Sequence, residues 1–246
     1  MLTTVAEGVH RLEHARVNVV LVEDDDGLTI VDAGLPGVWN PLGRTIRELG
    51  YRPRDVQALL LTHAHFDHVG VAARLQRELA VPVWAHDEEA FLAAHPYRYV
   101  HERARGIYPL RYPAAIPVLA RMTAAGALWV KGVRGIEPFV DGQTVDVPGR
   151  PTVVFTPGHT FGHCALHLPD RDVVITGDAL VTLDPYTGHS GPQIVSGAAT
   201  ADSVEALASL ERIADTGASV LIPGHGDTWH DGARAAVTIA QQRGAS

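Results

Sequence analysis

The sequence predicts a layered α/β fold, and three observations carry that reading. Strand-like and helix-like segments alternate along most of the chain. The strand segments are short and largely apolar, as expected for strands covered on both faces. With 246 residues, 46% hydrophobic and 20% charged, the chain is long enough to bury a substantial core.

The elements follow in order. Residues 17–23 (VNVVLVE) and 28–31 (LTIV) are rich in β-branched side chains and flank the acidic turn Asp24-Asp25-Asp26-Gly27, which predicts two strands. Residues 39–49 place Leu42, Ile46 and Leu49 at helical spacing and stop at Gly50. A buried strand is expected at 56–61 (VQALLL), a helix over 69–79 and a strand at 81–84. Residues from about 87 to 140 interrupt the rhythm with Tyr97, Tyr99, Tyr108, Tyr112, Trp129 and an apolar helical run at 118–130. We read this segment as an insertion over a single 1–246 domain, either a lid or a packing or dimerisation arm. Beyond it, 152–155, 164–168, 173–175 and 220–222 read as strands, and a helix over 202–215 opens with a capping box, Asp202-x-x-Glu205.

Composition narrows the chemistry. The 20 Lys+Arg against 28 Asp+Glu give a net charge of −8, which disfavours a nucleic-acid or anionic-membrane surface. Lys131 is the sole lysine, so Schiff-base and P-loop chemistry have almost no candidates. The one cysteine, Cys164, can form neither an internal disulfide nor a cysteine-rich metal knot. Charged residues break up the first 18 positions, and no apolar stretch approaches a membrane span, so a cytoplasmic protein is expected, monomer or homodimer. The unusual feature is histidine: 14 residues, more than the 5 Phe and 6 Tyr together.

Position explains the excess. Thr62-His63-Ala64-His65-Phe66-Asp67-His68 leaves a buried strand and enters a loop, the place where α/β proteins put ligands. Three imidazoles and a carboxylate in six residues crowd and desolvate one another unless a cation holds them, and neutral imidazole with carboxylate suits zinc. A loop lets His63 and His65 face one centre while Asp67 and His68 face another. Three later strands end in a glycine turn carrying a potential ligand: Pro157-Gly158-His159, Thr176-Gly177-Asp178 and Pro223-Gly224-His225.

In these motifs, from Asp32-Ala33-Gly34 through HxHxDH to His225, the chain resembles the metallo-β-lactamase superfamily. The resemblance implies an αβ/βα sandwich of two mixed sheets flanked by helices, with a dinuclear site along one sheet edge. It implies that His63, His65 and His159 ligate a first metal, that Asp67, His68 and His225 ligate a second, and that Asp178 bridges the two. Asp32 is similar to the family's carboxylate that steadies the ligand loop.

The expected function is that of a metal-dependent hydrolase with two Zn2+, or Fe or Mn in their place. Two such cations about 3.5–4 Å apart lower the pKa of a shared water, whose hydroxide attacks the ester, thioester or lactone carbonyl of a small molecule. Asp67 and Asp178 are the catalytic carboxylates. Tyr186 and His189, on a Gly/Pro-bearing loop 8 and 11 residues after Asp178, are candidate substrate contacts. Two enzymatic rivals use related chemistry, a phosphodiesterase or nuclease on the same site and a mononuclear iron sulfur dioxygenase. A metal-holding sensor is the non-enzymatic rival. Of the other histidines, His163 is a candidate to support the ligands, and His10, His14, His86, His95, His101, His167 and His230 read as packed or solvated residues.

Overall fold

The computed structural model describes residues 1–246. The first sheet begins as an antiparallel meander of β1 (Leu2–Ala6), β2 (Val9–His14), β3 (Val17–Asp24) and β4 (Gly27–Val31). After helix α1 (Trp39–Glu48) comes β5 (Val56–Leu60), parallel to β4. Helix α2 (Ala72–Leu79) leads to β6 (Val83–His86), again parallel. Three short helices follow, α3 (Ala90–Ala94), α4 (Tyr108–Arg111) and α5 (Ile116–Ala124), before β7 (Glu137–Phe139) completes the seven-stranded sheet beside β6.

The second sheet is built from β8 (Thr152–Phe155), β9 (Cys164–Leu168) and β10 (Val173–Gly177) in antiparallel succession. A separate hairpin, β11 (Val181–Leu183) with β12 (Ser190–Gln193), and helix α6 (Ser203–Ala214) precede β13 (Val220–Pro223), which pairs parallel to β10; α7 (Ala233–Arg243) closes the chain.

Alternation along each strand explains the layering. On β3, Val20 and Val22 face the second sheet and join Phe139, Leu166, Ile175 and Ile222 in one core. Val19 and Leu21 point the other way, into the core shared with Leu42, Ile46, Leu75 and Met122. Val174 and Leu221 likewise leave the second sheet toward Leu210, Ile213, Val237 and Ala240. The central strands β3, β4, β9 and β10 are covered on both faces, which is why they lack polar alternation. The result is the expected αβ/βα sandwich.

Several expectations need local revision. The helix expected from 69 starts at Ala72, because 66–71 is held in turns by bonds from Gly70 N to the Gly34 carbonyl (2.7 Å) and from Ala33 N to the His68 carbonyl (2.7 Å). The run at 118–130 is helical only to Ala124; Ala127 and Val130 are buried from the turn that follows. The 87–140 segment ends by donating β7 to the first sheet, and Val118 and Met122 join the main core. Half of the capping box forms. Asp202 accepts bonds from Val204 N and Glu205 N, both at 2.9 Å, but its own N–H goes to the Gly158 carbonyl and not to Glu205. No helix is long and apolar enough to cross a membrane.

Candidate metal centre

Five strands run out at one edge of the sandwich, and each delivers a polar side chain within a few residues of its end. Asp32 follows β4, Thr62 and His63 follow β5, His159 follows β8, Asp178 follows β10, and His225 follows β13. Two bonds tie the sheets together there: Cys164 N donates to the Thr62 carbonyl (2.9 Å) and Asn18 N to the Gly224 carbonyl (2.8 Å). Close approach demands a glycine at each of the three later turns. A Cβ on Gly224 would lie 2.1 Å from Asp178 Oδ1 and 2.8 Å from His68 Cε1. Gly158, whose Cβ would lie 2.1 Å from Ala206 N, and Gly177, whose Cβ would lie 2.5 Å from Thr62 Oγ1, also need glycine for positive φ values of 125° and 50°.

The structure brings together all seven expected ligands. Three overlapping groups form, His63–His65–His159, His63–His68–Asp178 and Asp67–His68–His225, each with its donor atoms within 4.8 Å of one another. The Asp178 carboxylate lies at the middle. Its Oδ2 is 3.5 Å from His159 Nε2 and 3.3 Å from His225 Nε2, while Oδ1 is 3.5 Å from His68 Nε2. All seven side chains are buried, yet His63 Nε2, His68 Nε2, His225 Nε2 and Asp178 Oδ1 have no hydrogen-bond partner. Buried donors and acceptors are almost always satisfied. Convergent unsatisfied nitrogens and a carboxylate oxygen therefore fit cations better than they fit any internal network. His159 Nε2 and His65 Nδ1 approach to 2.9 Å, close to the spacing of two nitrogens on one tetrahedral ion, about 3.3 Å from standard bond lengths.

Electrostatics point the same way. Asp32, Asp67 and Asp178 are buried with no Lys or Arg paired to any of them. Burial and the neighbouring imidazoles hold His63 and His159 well below the ordinary histidine range, and burial holds His65 to about 4. These three are neutral, the form that ligates metal. Burial also opposes charge on His68, but Asp178 and Asp32 overcome it and raise that histidine to about 9; Asp178 and Asp67 raise His225 in the same way. The cluster demands positive charge at its centre.

A second layer of contacts orients four of the five rings, those of His63, His68, His159 and His225. Asp32 sits at φ 59°, and its carboxylate accepts from Thr62 N (2.8 Å), Thr62 Oγ1 (2.9 Å) and His68 Nδ1 (2.8 Å), which offsets the strained backbone. Because the Thr62 hydroxyl donates to Asp32, it accepts from His63 Nδ1 at 3.1 Å. The Arg16 carbonyl accepts from His225 Nδ1 (2.7 Å), and Thr200 Oγ1 faces His159 Nδ1 at 3.3 Å. Each bond commits the far nitrogen and directs a Nε2 lone pair inward. His163 supports the centre from below. Burial lowers its pKa to about 3, and its neutral Nε2 accepts from Asp178 N (3.1 Å) and Ala179 N (3.2 Å).

The substrate-contact candidates separate. The Tyr186 hydroxyl meets that of Tyr99 at 3.1 Å, and the Tyr99 ring lies 4.1 Å from His65. His189 is exposed, its ring edge against Tyr112. Sequence reasoning passed over Arg105, stacked 4.4 Å over the Tyr99 ring, and the buried Glu89, which bonds Ala64 N and Gly162 N. Thr62 had a signal, its place directly before the histidine run. Glu89 had none, since Asp87-Glu88-Glu89 reads as a solvated acidic run.

A family model for the metallo-beta-lactamase superfamily matches residues 14–225. Among curated proteins, the probable metallo-hydrolase YflN of Bacillus subtilis (strain 168) is 24% identical over 234 residues, covering 90% of this chain and 84% of that protein. The probable metallo-hydrolase YqgX of the same organism is 30% identical over 165 residues, covering 67% and 66%. The crystal structure of metallo-beta-lactamase family protein TTHA1429 from Thermus thermophilus superposes with a TM-score of 0.71 at 26% identity, covering 98% of this chain and 80% of that one. That of TTHA1623 in a di-iron-bound form gives a TM-score of 0.61 at 27% identity, covering 89% and 92%. With a match spanning most of the chain and the His/Asp cluster in place at the sheet edge, this chain belongs to the metallo-β-lactamase superfamily.

Proposed function

We propose that the chain is a dinuclear metal-dependent hydrolase that cleaves an ester, thioester or lactone bond of a small organic molecule. In this reading His63, His65 and His159 would hold one ion, Asp67, His68 and His225 would hold the other, and Asp178, between the two groups, would contribute to both. The observation that carries it is the convergence of seven buried side chains on one centre with unsatisfied nitrogens and a carboxylate oxygen facing inward. The relatives named as probable metallo-hydrolases support the hydrolase class, and the di-iron form of TTHA1623 supports a two-ion site that takes iron.

When bound, the ions supply Lewis acidity and a water acidified toward neutral pH. The protein supplies position. Asp178 keeps the two ligand triads in register, and the outward bonds from His63, His68 and His225 keep their lone pairs aimed inward. Asp67 Oδ2, 3.3 Å from His225 Nε2, is placed to accept a hydrogen bond from a water at the centre and would orient it. Phe66 stacks on Tyr97 at 5.6 Å, and with Tyr99 these rings form an apolar wall suited to an organic substrate. Burial pushes the Tyr186 hydroxyl well above its ordinary pKa, so it stays protonated and donates to the substrate or leaving-group oxygen. The 87–140 segment, which carries Tyr97 and Tyr99, is a wall of the site in this reading.

The test is a panel of p-nitrophenyl esters, thioesters, lactones and bis-p-nitrophenyl phosphate offered to metal-loaded protein. Turnover of carbonyl substrates that disappears on chelation and returns with metal is the expected result. Turnover of the phosphodiester alone assigns the same centre to phosphoryl transfer, and oxygen consumption with one bound iron assigns a dioxygenase.

A further inference from the structure

Glu89 is the charged side chain buried beside the centre that the proposed chemistry does not use. It is 1% exposed and forms no ion pair, at the junction of the first sheet with α3. A buried carboxylate without a counter-charge is destabilising by several kcal/mol unless its oxygens are satisfied. Here each oxygen takes one backbone amide from a different loop. Oε2 accepts from Ala64 N at 2.7 Å and Oε1 from Gly162 N at 3.0 Å. Ala64 lies between His63 and His65. Gly162 ends the turn that begins at His159.

The two loops are already joined at their strand ends by the bond from Cys164 N to the Thr62 carbonyl. Glu89 acts farther out, where the ligand-bearing turns leave the ladder and their amides lose sheet partners. Space at the bond is tight as well. A Cβ on Gly162 would stand 2.8 Å from Glu89 Oε1 and 2.9 Å from Glu88 Cβ, although the Gly162 φ is one that any residue can adopt.

Resting on the two-ion reading above, we infer that Glu89 is a positioning residue for the first ion. Its carboxylate clamps the His63–His65 turn to the His159 loop, and so sets the affinity of the His63–His65–His159 site alone. The second site takes His225 from the turn after β13, and its Asp67 and His68 lie three and four residues beyond Ala64, past the bond that Glu89 makes.

The test is titration of chelator-treated protein with cobalt(II), read by its visible absorption, in two backgrounds. His225→Ala leaves the first site to be measured, and His159→Ala leaves the second. Glu89→Ala is expected to weaken the first site about 10–100-fold and leave the second unchanged. Glu89→Gln, which keeps one acceptor, should lose less, and Gly162→Ala should act in the same direction while retaining the charge. Far-UV circular dichroism confirms that each titrated variant is folded. If Glu89→Ala does not fold, Glu89→Gln and Gly162→Ala decide the matter. Equal weakening of both sites marks a general structural role and overturns the inference, as does unchanged affinity at the first site. A wild-type chain that binds one ion, more weakly in the Glu89 variants, contradicts the two-ion reading and supports the clamp. A wild-type chain that binds two ions indifferent to Glu89 contradicts the clamp alone.

Discussion

Asp32→Asn isolates what orientation of a single ring contributes to this centre. Asparagine has nearly the shape of aspartate and tolerates the φ of 59°, so the change adds no backbone strain. Its carbonyl keeps the bond from Thr62 N, but an NH2 group replaces the oxygen that accepts from Thr62 Oγ1 and His68 Nδ1. The threonine hydroxyl rotates to accept. His68 has no such freedom, because a ring N–H now faces an amide N–H. It escapes by moving the proton to Nε2, the nitrogen 3.5 Å from Asp178 Oδ1, which removes the lone pair that faces the centre. Loss of such an outer partner costs about 10–100-fold in metal affinity, or about 1.4–2.7 kcal/mol. The lost charge-assisted bond costs about 1.5–3 kcal/mol in fold stability. Zinc titration against a chromophoric chelator reads the first quantity and urea unfolding the second, while 15N NMR reports the His68 tautomer. The Asp67–His68–His225 site should weaken more than the His63–His65–His159 site, which feels the change only through the Thr62 hydroxyl on His63. Two ions bound at unchanged affinity, with Nδ1 still protonated, would refute the argument that Asp32 fixes this ring.

Other substitutions test other parts of the account. Asp178→Ala removes the carboxylate at the middle of the cluster and should abolish turnover while lowering ion occupancy, both measurable on one preparation by kinetics and elemental analysis. Tyr186→Phe deletes the hydroxyl that meets Tyr99 and should reduce kcat with both ions retained; an unchanged rate removes Tyr186 from the chemistry. Leu166→Ala opens a cavity between the two sheets, where the side chain is fully buried, and should cost about 2–5 kcal/mol in urea unfolding with metal affinity unaltered.

Much of the centre was legible because its candidate ligands follow strand ends, and strand ends show in sequence as an apolar run broken by glycine or proline. His63, His65, Asp67 and His68 announced themselves by density, and His159, Asp178 and His225 by their shared turn chemistry. The strands β1 and β2 gave no such signal, since VHRLEH hides buried His10 and Arg11 among apolar positions, and their partners Glu23 and the Gly226 carbonyl are distant in the chain. Helix α7 was missed because its core face is Ala233, Ala236, Val237 and Ala240, small residues with weak helical contrast. Glu89 illustrates a general limit. Whether an acidic residue is solvated or clamps two loops depends on contacts with positions 25 residues before it and 73 after it, and no local pattern encodes them. His189 shows the reverse case, a loop position near the centre in sequence terms whose side chain turns outward to Tyr112.

The central claim is that seven buried side chains hold two ions, and metal content per folded chain tests it most directly. Elemental analysis of protein purified from metal-supplemented growth, checked against chelator-treated protein reloaded with zinc or iron, should give close to two transition-metal ions per chain. A reproducible stoichiometry of one, in wild-type protein with all seven residues intact, would contradict it.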